Sequence, residues 1–148
     1  MDPECKERVD AVESFSVTSM RKLQQLYNCV MVVGLHSICL GLFIFFFTNT
    51  FYDFFFRASV DNFFFVQQAG LFLFCLGLFY LIPLCDLTKF HRIIDITIIT
   101  KILAVFFLVG NAHLVPNPGA ILFAAAVDAA MGGILIYISR SCGLLLKK

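Results

Sequence analysis

Four long apolar stretches constrain this sequence more than any other feature. They occupy residues 26–48, 63–84, 92–111 and 119–139, and each is roughly 20–23 residues long. An α-helix of that length crosses the ~30 Å hydrocarbon core of a bilayer. The strict alternation of a transmembrane β-strand is missing from these stretches. The sequence therefore predicts an all-α fold, a bundle of four transmembrane helices.

The composition supports this prediction and excludes several other classes of protein. Hydrophobic residues make up 60% of the 148 residues and charged residues 14%, whereas soluble domains have about 45–50% and about 25%. So short a chain needs more polar residues to cover a soluble core. This argues against a soluble enzyme, a secreted disulfide-stabilised domain and a disordered chain. Nucleic-acid-binding proteins are strongly basic, whereas the net charge of this chain is only +1. The expected partner is therefore the lipid bilayer and not nucleic acid.

The apolar stretches divide the chain into three segments. Residues 1–25 form a polar N-terminal segment on the cytoplasmic side, residues 26–139 the transmembrane domain, and residues 140–148 a short basic tail. A loose apolar stripe runs along the first segment and is interrupted from Ser14 to Ser19. We therefore expect the first segment to form a short surface helix that breaks between Ser14 and Ser19.

Two connections between the stretches have recognisable local sequences. Residues 49–62 are rich in Phe and Tyr, which predicts a loop in the headgroup region with half-buried rings. Asn117 and Pro118 precede the fourth stretch. This pair predicts a helix start with Asn as the cap and Pro at the first helical position.

Basic residues outside the stretches predict the orientation of the bundle. An excess of Lys and Arg marks the cytoplasmic side of a membrane protein, and only Arg57 falls on the opposite side. We therefore expect both termini on the inner side of a multi-pass protein, in a bacterial cytoplasmic membrane or an equivalent inner membrane. The basic residues on that side are Lys6, Arg8, Arg21, Lys22, Lys89, Arg92, Arg140, Lys147 and Lys148.

Small residues recur at helical spacing in three of the stretches. Gly34 and Gly41 are seven residues apart, as are Gly70 and Gly77, and their surroundings match at an offset of 36 residues. The match is either an internal repeat or a coincidence among abundant Leu, Gly and Phe. In both cases, small residues every two turns predict close helix packing. A similar row in the fourth stretch consists of Ala125, Ala129 and Gly133.

Three ionisable residues are expected near the middle of the membrane. Counting about 1.5 Å per residue places His36, Lys101 and Asp128 each roughly 14–15 Å deep. A charge at that depth costs about 2.5–3.5 kcal/mol. Lys101 and Asp128 lie on consecutive stretches at equal depth, so they are expected to pair. The pair either fixes the helix register only or forms, with His36, a polar pocket that handles protons or binds a ligand.

Motifs of known enzyme and cofactor chemistry are missing from the sequence. None of the six cysteines forms a C-x-x-C pair, and no Cys/His spacing suits zinc. Nothing matches a P-loop, a dinucleotide fingerprint, a nucleophile elbow or a haem-attachment motif. We therefore expect no catalytic residue, no metal site and no bound cofactor. A quinone or a lipid is the type of ligand that a polar pocket would take.

Several short motifs resemble those of small, uncharacterised bacterial four-helix membrane proteins, loosely similar to the DoxX-like group. The similarity covers most of the chain beyond about residue 28, and the chain departs from it in its polar N-terminal segment and Phe richness. It implies a four-helix fold and a link to quinol-dependent respiration or accessory membrane roles, and no catalytic residue. The residues concerned are Gly34, Leu35, His36, Gly41, Leu42, Phe51, Tyr52, Val66 to Gly70, Leu76, Gly77, Leu78, Arg92, Lys101 and Asp128.

Three functional hypotheses follow from these observations. The first is a non-catalytic accessory or assembly subunit that binds other membrane proteins or further copies of itself. It is favoured by the small size and short loops. The second is a binder or carrier of a small amphiphile, a quinone or lipid, at His36, Lys101 and Asp128. The third is a proton-coupled channel or membrane enzyme that uses the same residues, although a channel needs more polar lining.

Overall fold

The computed structural model describes residues 3–57 and 62–143, with side chains described from Met20 onward. Within these ranges the chain forms five α-helices and no strand. Short 3₁₀ turns at Ile82–Cys85 and Ala112–Leu114 follow the third and fourth helices. The helices are α1 (Pro3–Phe46), α2 (Thr48–Phe56), α3 (Phe63–Leu81), α4 (His91–Asn111) and α5 (Pro118–Ser141).

Four helical stretches are long and apolar enough to cross a membrane. They agree closely with the sequence prediction, and the prediction of an all-α bundle of four long apolar helices is confirmed. A chain that crosses four times has both ends on one side. The stretches are Met20–Phe46, Phe63–Cys85, His91–Leu114 and Pro118–Ser141.

Helix α1 differs from the prediction because it continues through the polar N-terminal segment. It spans 44 residues without the break expected between Ser14 and Ser19. The sequence from Glu4 to Val33 contains neither Gly nor Pro. Ser and Thr cost less than about 0.7 kcal/mol each inside a helix, and extending a formed helix is easier than starting one. The boundary predicted at residue 25 is therefore a change of composition, and the backbone is continuous across it.

Within the aromatic connection, Thr48–Phe56 is helical where a loop was expected, and residues 58–61 of that prediction lie outside the described residues. The ring of Phe51 packs at a tilt against that of Phe55 with centroids 4.7 Å apart, and Tyr52 stacks on Phe56 at 4.6 Å. Side chains four residues apart meet on a helix, so these pairs stabilise α2. The side chain of Asn117 does not cap α5 as predicted. It donates a hydrogen bond of 2.8 Å to the carbonyl of Phe54 and so ties α2 to the start of α5.

The helices associate as two tight pairs. Helix α1 packs along α3, helix α4 packs along α5, and the pairs meet mainly where α1 contacts α5. The core lies near the end of the bundle at which α5 finishes, where Leu26 and Leu135 are fully buried. All four spans contribute to this core. Its other members are Val30, Val33, Tyr80, Ile94 and Ile98.

Glycines bring the backbones of α1 and α3 into direct contact. A methyl group on Gly77 would lie 2.9 Å from the carbonyl oxygen of Gly34, and one on Gly41 would lie 2.7 Å from that of Gly70. Gly34 thus faces Gly77, and Gly41 faces Gly70. The two similar segments pack antiparallel against each other. The first glycine of each segment therefore faces the second glycine of the other. Lipid offers no hydrophobic drive for helices to associate, so this close packing is what holds the pair together.

A carboxylate organises the turn that leads into α4. Asp86 Oδ1 accepts hydrogen bonds from the backbone nitrogens of Lys89 at 2.9 Å and Thr88 at 3.0 Å. It also accepts one from the Thr88 hydroxyl at 2.7 Å. These donors, with Lys89 first, hold the pKa of Asp86 below its ordinary value of 3.8. Asp86 is exposed, so the turn depends on its hydrogen bonds and not on burial.

Alanine substitutions distinguish the packed glycines from the open ones. Gly41→Ala or Gly77→Ala places a methyl group against backbone atoms, which cannot rotate away. We expect each to lower the unfolding free energy by about 1–3 kcal/mol. A methyl group on Gly110 or Gly133 meets nothing within 4 Å, so alanine there should be neutral or gain about 0.5–1 kcal/mol. Thermal unfolding in detergent measures both effects, and equal losses at all four sites would contradict the interface.

The Asp86 turn predicts how stability depends on pH. Because the pKa of Asp86 is lowered in the folded protein, its contribution is present above pH 3.8 and is lost as the pH falls below that value. Asp86→Asn keeps an oxygen acceptor but removes the charge. The wild type should therefore melt at a higher temperature than this variant at neutral pH, and the difference should shrink as the pH falls below 3.8. A difference that does not change with pH would contradict the assignment.

Candidate functional site

A buried ion pair joins α4 to α5 near the middle of the bundle. Lys101 Nζ lies 2.6 Å from Asp128 Oδ1, and the side chains are 7% and 16% exposed. The lysine ammonium donates a charge-assisted hydrogen bond to the carboxylate. The structure thus brings together the two midplane charges that the sequence placed at equal depth.

Small residues on α5 make room for the lysine. Gly132 lies one helical turn from Asp128, and a methyl group on it would stand 3.4 Å from Lys101 Cβ. Thr97, one turn before Lys101 on α4, is also buried and donates to the carbonyl of Ile93 at 2.8 Å. The buried hydroxyl group of Thr97 is therefore satisfied within α4. The aliphatic stem of the lysine fills the space that Gly132 leaves.

The other two spans each contribute a polar side chain to the same region. His36 on α1 is half-buried and lies within electrostatic range of both Lys101 and Asp128. Tyr80 on α3 is only 2% exposed, lies beside Thr100 and is also within range of Asp128. We call His36, Tyr80, Lys101 and Asp128 the central polar cluster. It contains one side chain from each of the four spans.

Tyr80 is the member of the central polar cluster that sequence analysis missed. Surrounded by Leu, Phe and Gly in the second stretch, it does not stand out from the other aromatic residues. A signal was available, because a tyrosine buried in an apolar span needs a partner for its hydroxyl group. Only the packing of α3 against its neighbours shows that Tyr80 points inward.

The other predicted packing residues divide between the interior and the surface. Gly34, Gly41, Gly70 and Gly77 are buried between α1 and α3. On α5 the predicted row splits, because Ala125 is 2% exposed while Ala129 and Gly133 face outward. Helical periodicity puts Gly132, one residue before Gly133, on the side that faces α4.

A strip of small residues on α5 has no partner helix among the residues that the structure describes. It lies on the outward side of the helix, and small residues at this spacing allow a second helix to approach closely. Large apolar side chains border it, with Phe123 72% exposed and Ile134 51% exposed. We call the small residues the α5 outer strip; they are Ala126, Ala129, Ala130 and Gly133.

In the central polar cluster, the charges of Lys101 and Asp128 neutralise each other. The ammonium and carboxylate satisfy each other, so the arrangement is complete without a bound ligand. Within residues 20–57 and 62–143, no group of three His, Cys, Asp or Glu side chains is placed to hold a metal ion. His36 and Tyr80 bring further hydrogen-bonding groups within electrostatic range of the pair.

Comparisons with known proteins do not assign the chain to a family. No family model matches the chain, and neither a curated protein nor a solved structure is detectably similar to it. The features of this chain that bear on function are therefore the central polar cluster and the exposed surfaces of the bundle.

Double substitution tests whether Lys101 and Asp128 depend on each other. Lys101→Met or Asp128→Leu alone leaves one charge buried without its partner, which should cost about 3–5 kcal/mol. The double variant leaves no stranded charge, so most of the folded yield should return. Fluorescence-detected size-exclusion chromatography measures the yield, and Lys89→Met on the exposed turn is the control. Additive losses in the double variant would contradict the pairing.

Proposed function

We propose that this chain is a non-catalytic accessory or assembly subunit of a membrane complex. Four helices that are long and apolar enough to span a membrane are compatible with a small multi-pass integral membrane protein. We further propose a bacterial cytoplasmic membrane or an equivalent inner membrane, with both termini inside. The loose DoxX-like resemblance belongs to this proposal, since accessory membrane roles are associated with that group.

The α5 outer strip is the observation that carries this proposal. Helices in lipid associate through small residues that let their backbones approach. The chain uses its glycines in this way between α1 and α3, but the strip on α5 faces outward. A helix from another membrane protein, or from a second copy of this chain, fits this surface. The extensive exposed apolar surface of the spans suits partner contacts as well as lipid.

Leucine substitutions on the α5 outer strip test the assembly role. Ala126→Leu with Ala130→Leu should prevent a partner helix from approaching while leaving the bundle folded, because both positions face outward. After purification from the native host in mild detergent, the wild type should elute as a stoichiometric complex and the variant alone. Gly110→Leu on α4, also at an open position, should retain the partner. A wild type that elutes as a monomer would contradict the proposal.

The second candidate function is the binding of a quinone or lipid at the central polar cluster. The observation that favours it is the convergence of one polar side chain from each span. His36→Leu removes a half-buried group that the ion pair does not need for its own hydrogen bond. If the cluster binds a headgroup, this variant should stay folded and lose co-purified quinone or lipid. An unchanged content of bound amphiphile would leave the cluster with a structural role only.

The proposed orientation is open to direct measurement. Cys142 follows the end of α5, so it lies on the same side of the membrane as the start of the first span. An impermeant thiol reagent should label it in inside-out vesicles and not in intact cells. Burial raises the pKa of the Cys142 thiol, so a Ser141→Cys variant at an exposed neighbouring position provides a reactive control. Labelling of either site from outside intact cells would show that the orientation is the opposite of the one proposed.

A further inference from the structure

A groove between α1 and α5 lies outside the central polar cluster. Its volume is about 480 Å³, within the range of small-molecule sites. The groove is open on its outer side, where Tyr137 is 74% exposed. It exists because Gly133 has no side chain and nothing lies within 4 Å of where one would begin. Its lining residues are Gln25, Asn28, Gly133, Ile134, Tyr137 and Ile138.

The groove has a polar side and an apolar side. Gln25 and Asn28 on α1 provide amide groups, whereas Gly133, Ile134 and Ile138 on α5 provide an apolar surface. The side chain of Asn28 already accepts a hydrogen bond of 3.1 Å from Gln24, which leaves its amide N–H groups available. Amides beside an apolar channel suit a molecule that carries ester or hydroxyl groups on a hydrocarbon chain.

Positive charge flanks the groove at one end. Arg21 and Lys22 lie one turn before Gln25 on α1, and Arg140 lies one turn after Tyr137 on α5; all three are exposed. Leu23 and Cys142 pack against the same core cluster, which places Lys22 near the end of α5. From Met20 to the end of α1, and from Ala129 to the end of α5, neither helix contains an acidic residue. The end of the groove is therefore basic on both sides.

We propose that this groove binds one anionic phospholipid. Its phosphate contacts Arg21 and Arg140, its glycerol esters meet Gln25 and Asn28, and an acyl chain lies along Gly133 and Ile134. A basic site at the membrane surface above an apolar groove is the arrangement that recognises an anionic headgroup. A transmembrane helix would instead have to bring apolar side chains against Gln25, Asn28 and three cationic groups. Gly133 belongs to both the groove and the α5 outer strip, whereas Ala126 and Ala130, the positions substituted to test the partner, do not line the groove.

Tryptophan fluorescence provides a direct test because the chain contains no Trp. Tyr137→Trp places a single reporter in the groove, and Phe106→Trp places one on the exposed face of α4, where Phe106 is 73% exposed. The proteins are reconstituted in phosphatidylcholine with a minor fraction of brominated lipid. Brominated phosphatidylglycerol should quench the groove reporter more strongly than brominated phosphatidylcholine does. The α4 reporter should be quenched equally by both.

Further variants in the reporter background identify the parts of the site. Arg21→Gln and Arg140→Gln should each weaken the preference for the anionic lipid about five-fold, the effect of one basic residue near the surface. Gly133→Leu should abolish the preference by filling the groove, whereas Gly110→Leu should not change it. Native mass spectrometry of the wild type should find one retained anionic phospholipid.

Three outcomes would overturn the proposal. The first is equal quenching of the groove reporter by the two brominated lipids. The second is a preference that survives the loss of both arginines. The third is protection of the reporter from both lipids, which would show that a protein helix fills the groove. Loss of the partner complex in the Ala126→Leu and Ala130→Leu variant has no effect on these readouts, so the two proposals fail separately.

Discussion

The contact between the backbones of α1 and α3 is the interaction on which the rest of the bundle depends. Water drives apolar surfaces together, but lipid does not, so helices in a membrane need close packing to stay associated. Gly34 against Gly77 and Gly41 against Gly70 supply it, since a methyl group on Gly41, Gly70 or Gly77 would collide with the opposite backbone and one on Gly34 with the side chain of Leu81. The resulting pair presents His36 and Tyr80 toward the other two spans.

The ion pair between Lys101 and Asp128 fixes the second pair of helices in a different way. Two charges that are 7% and 16% exposed are tolerated because they neutralise each other at 2.6 Å. The need to keep the two charges paired fixes how far α4 can slide along α5, since a shift of one turn would separate the two groups by about 5 Å. Glycine contacts and the ion pair thus each set the register of one helix pair, and the core around Leu26 and Leu135 joins them.

The outer surface is more informative than the interior about what this protein meets in the membrane. The α5 outer strip suits a neighbouring helix, while the groove beside Gly133 is polar on one side and basic at one end. Both depend on small residues that the chain does not use for its own packing. Under these two proposals, assembly would depend on membrane composition, because Gly133 lies in both surfaces.

The sequence by itself determined the number, length and class of the spans, because hydrocarbon thickness fixes how many apolar residues a helix needs. It also placed Lys101 and Asp128 at equal depth, because depth follows from counting residues along a helix. The sequence did not determine that α1 continues through Ser14–Ser19 or that Thr48–Phe56 is helical, since these depend on cooperative extension and on packing between aromatic rings. Only the tertiary structure decided which side of each helix faces inward. It brought Tyr80 and Gly132 inside and left Ala129 and Gly133 outside, because spans that are apolar all round have no polar face to orient them.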